Sequence, residues 1–223
     1  MIVCVHLPRF ELALAAGGPS ALVGRALAVA PSTGSEQRLG EVSGAAEAQG
    51  VRRGMALGEA LARCPDLELV PADPVAVEEA WKALLGALES IGAAVEPARP
   101  GLAYFDTAPL RALYGTDAAV IAAAQGADRG VGGTGRSMGR AAGSATRGPA
   151  GRSPRRPPLG GIDRHARIGA GPTRFCALAA ALSVRSRRPL VLDGDDALRW
   201  LGGRSIGLLG YRAETERLLG PLE

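Results

Sequence analysis

A chain of 223 residues with 47% apolar content is long enough for one large or two modest packed domains, which excludes a wholly disordered polypeptide. Lysine and arginine number 26 against 22 aspartate and glutamate, but the net +4 is unevenly spread: residues 1–124 carry 9 basic and 14 acidic groups, residues 125–223 carry 17 and 8. Cys4, Cys64 and Cys176 are far apart without CxxC spacing, which excludes a disulfide framework or a zinc site, and no apolar run is long enough to span a bilayer.

In chain order, the β-branched run Ile2 to Val5 predicts a buried strand. Phe10 to Ala16 reads as a helix closed by Gly17-Gly18-Pro19, and Ala26 to Ala30 as a second strand. Ser43 is placed to cap a helix that runs to Gln49 and stops at Gly50. Met55 to Cys64 has apolar residues at helical spacing and ends at Pro65, with Leu67 to Val70 a short strand. Pro74 to Ile91 is the clearest amphipathic helix, carrying Val77, Ala80, Trp81, Leu84, Leu85 and Leu88 on one face. Leu102 to Phe105 reads as a strand, then Pro109 to Tyr114 and Ala118 to Ala124 as helices.

From residue 125 to 164 Gly, Ala, Ser, Pro and Arg dominate without hydrophobic period, so the segment is expected to be disordered. Ala166 to Ile168 resumes as a strand, followed by a helix over Thr173 to Leu182 and a strand over Pro189 to Leu192. Ala197 to Leu201 and Ala213 to Leu219 read as short helices. Strands and helices in this irregular order predict an α+β fold. The basic second half points to an anionic partner, nucleic acid first. The start of the chain is apolar but has no basic leader, so a soluble, cytoplasmic (nucleoid-associated) protein is expected.

Two blocks carry a family resemblance. Ala48-Gln49-Gly50-Val51-Arg52-Arg53-Gly54-Met55, with the helix ending at Cys64-Pro65, resembles the fingers signature of the Y-family (lesion-bypass) DNA polymerases. Ile168-Gly169-Ala170-Gly171-Pro172-Thr173-Arg174-Phe175, continuing to Arg187-Arg188-Pro189, is similar to that family's later palm segment. The resemblance implies a ferredoxin-like palm with a small helical fingers subdomain. It divides the chain into a first palm strand (1–10), fingers (11–72), palm (73–124), a Gly/Arg-rich insertion (125–164), palm (165–200) and the start of a truncated thumb (201–223). A locally misframed coding stretch is the alternative reading of 125–164.

The family's chemistry is nucleotidyl transfer with two magnesium ions held by carboxylates. By resemblance those carboxylates fall on His6, Pro8, Gly101 and Leu102, none of them acidic. The family's triphosphate contacts fall on Gly44 and Glu47, and its ribose-excluding aromatic on Glu11. This predicts a chain that is not an enzyme, without catalytic residues, metal or other cofactor, similar to the non-catalytic ImuB-type homologues of mutagenesis cassettes. For that type the resemblance implies an adaptor in translesion synthesis and damage-induced mutagenesis. Its partners would be DNA, an error-prone replicative-class polymerase, a RecA-like accessory protein and a sliding clamp. The alternatives are an active error-prone DNA polymerase using Mg2+ and a decayed fragment that binds nucleic acid non-specifically.

Arg174, Arg185, Arg187 and Arg188 are the candidate phosphate contacts, because a planar guanidinium suits phosphate oxygens. Arginines complementing a helix end are the competing explanation. His6, His165 and Asp106 read as structural residues, and Asp193, Asp195 and Asp196 as a solvated turn. Gly130 to Ser137 approximates a phosphate-binding loop but lacks a preceding strand and is set aside.

Overall fold

The computed structural model describes residues 1–31, 37–130, 165–184 and 188–203. Its centre is a five-stranded mixed sheet, confirming the α+β expectation. β1 (Ile2–His6) lies in the middle, antiparallel to β5 (Leu102–Asp106) on one side and to β6 (Arg167–Gly171) on the other. Outside them run β4 (Glu96–Arg99), antiparallel to β5, and β7 (Leu190–Val191), parallel to β6, for the order β4-β5-β1-β6-β7.

Both faces of β1 are covered, which explains why it reads as a continuous apolar run rather than an alternating one. Odd-numbered Val3 and Val5, with Ala103, Phe105, Ile168 and Ala170, pack on α4 (Pro74–Glu89) and α6 (Asp117–Gly130) through Ala80, Trp81, Leu84, Leu88, Val120 and Ile121. Asp73 begins α4 by accepting the Ala76 N–H at 3.0 Å, and Pro74 occupies the first helical position. On the opposite face Cys4, Leu102 and Tyr104 meet Ala177 and Ala181 of α7 (Arg174–Ser183). Glycine and alanine allow that approach: a Cβ on Gly169 would lie 2.2 Å from the Ala181 nitrogen.

A second unit has its own smaller core of Ala28, Leu39, Val42, Ala46, Val51, Ala60, Cys64 and Leu67, in the stretch where the resemblance expects the fingers. It contains the parallel pair β2 (Leu27–Val29) and β3 (Glu68–Val70) and two short helices, α2 (Gly44–Ala48) and α3 (Leu57–Arg63). Ser43 caps α2 as expected: its buried Oγ accepts the Ala46 N–H at 3.2 Å and the Leu27 N–H at 2.9 Å, and donates to the Arg25 carbonyl at 2.7 Å. α1 (Phe10–Ala15) joins the two units. Phe10 meets Trp81 edge-on with centroids 6.0 Å apart, while Leu12 packs with Leu27 and Val29.

α5 (Arg111–Tyr114) and α8 (Gly194–Gly202) are the remaining α-helices among the described residues, with short 3-10 turns at Pro19–Leu22 and Ala108–Leu110. Asp195 and Asp196 sit in the first turn of α8, where carboxylates favour a helix N-terminus. Cys4, Cys64 and Cys176 are free thiols buried in the packing. The expected helix Ala213 to Leu219, the thumb start beyond residue 203 and the segment 131–164 with its Gly130–Ser137 loop lie outside the described residues.

Candidate nucleic-acid interface

Strand register brings the four expected ligand positions to one end of the sheet. His6 is the direct cross-strand partner of Leu102, and the Leu7 N–H bonds the Gly101 carbonyl at 2.8 Å. Pro8 follows β1, half-buried. Directly opposed residues share a face, so the pairs Arg99↔Leu102, Leu102↔His6 and His6↔Arg167 form one row across four strands. Arg188 lies two residues before β7, outside the paired strand. The row belongs to the α7 face, because Leu102 packs with Cys4, Tyr104, Ala177 and Ala181.

Magnesium, which the resemblance implies here, does not fit these residues. A hard cation needs oxygen anions, and the row presents an imidazole, an isobutyl group and guanidinium groups. Leu102 is 2% exposed in an apolar cluster. Gly101 has φ +80°, and a Cβ there would fall 2.7 Å from Phe10 Cβ and 2.9 Å from the Leu7 carbonyl oxygen, so no aspartate is accommodated without moving α1. His6 is buried with Nδ1 lacking any hydrogen-bond partner. Burial first, then Arg99, Arg167 and Arg9, brings its imidazole down to about 4, so it is neutral at pH 7. Among the described residues no three His, Cys, Asp or Glu side chains converge to hold a metal ion.

The fingers positions are occupied in a complementary way. Arg9 is the only non-glycine residue with positive φ among those described, at 52°. Its Nε donates to the Val42 carbonyl at 2.8 Å and its Nη2 to Glu47 at 2.6 Å. The guanidinium lies over Gly44, whose Cβ would sit 3.7 Å from it, so the two expected triphosphate positions both adjoin Arg9. Glu11 and Glu41 flank Arg53 at 4.0 and 3.9 Å. Glu41 also accepts the Leu12 N–H at 3.1 Å, and burial pushes its carboxyl upward.

Of the predicted phosphate contacts, Arg174 is exposed at the start of α7, paired with Glu96, its guanidinium carbon 5.9 Å from the Tyr104 ring centroid. Arg188 is exposed at the opposite end of that helix, so the two do not form one cluster. Arg185 and Arg187 lie outside the described residues. Arg99 and Arg167 were missed by sequence reasoning: neither falls in a motif, and only the register places them beside His6. Asp106 is structural, accepting from the Met1 ammonium at 3.1 Å and the Ala108 N–H at 3.0 Å, which holds its carboxyl below the usual range.

Residues 9–145 match the model of the impB/mucB/samB family. No curated protein matches the chain. Among solved structures, the chain is similar to DinB from Sulfolobus solfataricus at 18% identity and TM-score 0.68, covering 93% of this chain and 53% of that one. It is also similar to the Dbh DNA polymerase in an insertion ternary complex, at 17% identity and TM-score 0.66, covering 99% and 58%. A Y-family DNA polymerase chimera matches at 18% identity and TM-score 0.65, over 93% and 53%. The chain thus spans a little over half the length of these solved relatives.

These matches overturn one expectation, that the chain is not an enzyme. The family match extends from the fingers through the second palm segment, and two of the solved chains named above are DNA polymerases by description. The expectation rested on the side chains at His6, Pro8, Gly101 and Leu102 and on Gly44, Glu47 and Glu11, and the absence of expected side chains does not measure activity.

Proposed function

Since the chain belongs to the impB/mucB/samB family, we propose that it is the palm-and-fingers part of a lesion-bypass, error-prone DNA polymerase and engages primed DNA at the end of its sheet where Arg99 and Arg167 lie. The observation that carries this is the convergence of arginines on the end of β1, in a fold shared with DNA polymerases. Arg174 and Arg188 are further phosphate contacts in this reading. The palm takes residues 1–10, 73–124 and 165–200 and the fingers 11–72. No step is assigned to magnesium, whose ligands these residues do not supply. The chain's own groups bind and orient the nucleic acid: guanidiniums grip phosphate oxygens.

Fluorescence anisotropy with a primed duplex tests the reading. Binding is expected to weaken steeply as salt rises, because each phosphate neutralised releases counterions; a chain that ignores primed DNA at low salt ends the proposal. Primer extension on intact and lesion-bearing templates, with Mg2+ or Mn2+, is the second test, and incorporation there would require metal ligands other than the residues at this end of the sheet.

The setting belongs to the same proposal: damage-induced mutagenesis at the nucleoid. Its protein partners would be an error-prone replicative-class polymerase, a RecA-like accessory protein and a sliding clamp. Among the described residues no helix is long and apolar enough to cross a membrane. Co-elution with a sliding clamp in gel filtration tests the partner assignment.

A further inference from the structure

We propose that Arg9 is a latched hinge: its guanidinium holds its own backbone in the left-handed region and so fixes α1 and the second unit in one pose against the five-stranded sheet. The device is independent of the DNA-binding reading. Two stretches of chain connect the sheet to the second unit, Leu7 to Arg9 on one side and Pro71 to Asp73 on the other. Few torsions are adjustable in the first. The Leu7 N–H is tied to the Gly101 carbonyl at 2.8 Å, the ring of Pro8 fixes its φ, and a following proline disfavours helical backbone at Leu7. Phe10 already belongs to α1. Arg9, at φ 52° and ψ 46°, is left as the residue that can redirect the chain.

The left-handed region is unfavourable for a side chain like this one, and Arg9 is the only non-glycine residue in it among those described. Its own side chain supplies the restraint. Nε donates to the Val42 carbonyl at 2.8 Å and Nη2 to Glu47 at 2.6 Å, both in the second unit. That unit also grips α1 directly: Glu41 accepts the Leu12 N–H at 3.1 Å, Arg53 lies 4.0 Å from Glu11, and Leu12 is buried with Leu27 and Val29. α1 therefore travels with the second unit. Towards the sheet it offers an apolar seam, with Phe10 edge-on to Trp81 and Leu14 partly buried against the same core. Apolar contact is non-directional. Phe10 can stay in its pocket as a pivot, and the angle is set by Arg9.

Salt releases the latch. Arg9 and Glu47 are 32% and 44% exposed, and Arg53 is 59% exposed, so mobile ions screen the charged contacts that cross the joint while leaving the apolar core of the sheet intact. Freed from Glu47, the guanidinium keeps one carbonyl partner, and the backbone of Arg9 returns to the regions ordinary residues occupy. Forbidden φ/ψ space separates those regions from the left-handed well, so the hinge has discrete settings rather than a continuum.

Pulsed electron paramagnetic resonance on the full chain tests the hinge, with spin labels at the exposed positions Gly58→Cys on α3 and Glu89→Cys on α4. Cys4, Cys64 and Cys176 are buried and do not take the label. One distance is expected at low salt, and a second population as salt rises to about 1 M. Glu47→Gln is expected to bring in that population at low salt. Arg9→Ala is expected to raise it about tenfold, the worth of a lost charge-assisted hydrogen bond. Arg9→Gly should raise it less, because glycine keeps the left-handed setting without strain. Gly169→Ala, which loosens α7 on the sheet, is expected to leave the distance unchanged; a second population there too means general loosening and overturns the hinge. A single distance that salt, Glu47→Gln and Arg9→Ala all leave unchanged also overturns it. Equal populations in Arg9→Gly and Arg9→Ala overturn the role of the strained backbone. Thermal melts check that the variants fold, and the salt series with Glu47→Gln decides the matter if Arg9→Ala does not.

Discussion

A histidine buried among arginines resists protonation, and His6 makes folding sensitive to pH. Its folded value of about 4 lies below the ordinary 6.5. Between those values the unfolded chain takes up a proton that the folded chain refuses. The His6 contribution is therefore fully present above pH 6.5 and declines as pH falls toward 4. The gap corresponds to about 3 kcal/mol. Urea unfolding of wild type and His6→Gln at pH 7 and pH 4 measures it: the difference between the two proteins should change by about that amount, wild type losing more in acid. At Gly101, φ +80° and the contact with Phe10 leave no room for a side chain. Gly101→Asp is expected to cost roughly 2 kcal/mol or more in chemical denaturation, so a carboxylate cannot simply be restored there.

Among the elements, α7 and α2 depend on opposite devices. α7 lies against β6 because glycine leaves its path open. Gly169→Ala would put a methyl 2.3 Å from the Ala177 carbonyl oxygen and is expected to lower stability by about 3 kcal/mol, read as a drop in Tm. α2 is only five residues long, too short to persist without tertiary support, and depends on Ser43. Ser43→Ala removes the cap and leaves the buried Leu27 N–H and the part-buried Arg25 carbonyl without their partner. A loss of about 2–3 kcal/mol is expected in urea unfolding, more than for an exposed cap.

At the scale of the whole molecule, the sheet unit and the fingers are tied through Arg9, whose backbone belongs to the turn after β1 and whose guanidinium ends on Val42 and Glu47. Because Arg9 and Glu47 are 32% and 44% exposed, solvent screens the ion pair. A double-mutant cycle of Arg9→Ala and Glu47→Ala should give a coupling of about 0.5–1 kcal/mol in urea unfolding. Arg9→Ala alone should cost more than Glu47→Ala, since it also deprives the Val42 carbonyl of a donor.

The sequence by itself determined which segments form strands and helices wherever the cause is local. Ser43 and Asp73 mark helix starts, the apolar stripe of Pro74 to Ile91 marks α4, and the motifs around Val51 and Gly169 mark the family. β4 was not legible, because Glu96–Arg99 is an exposed edge strand containing Pro97, with no apolar alternation to announce it. α6 runs to Gly130, beyond its apolar stretch, and the strand over Pro189 to Leu192 shortens to Leu190–Val191. The candidate interface was half legible. His6, Leu102, Arg174 and Arg188 stood out by position in a motif, whereas Arg99 and Arg167 did not. Their place beside His6 was decided by the tertiary structure alone: register pairs residues some 95 to 160 positions apart, and a slip of one residue would turn the arginines to the other face.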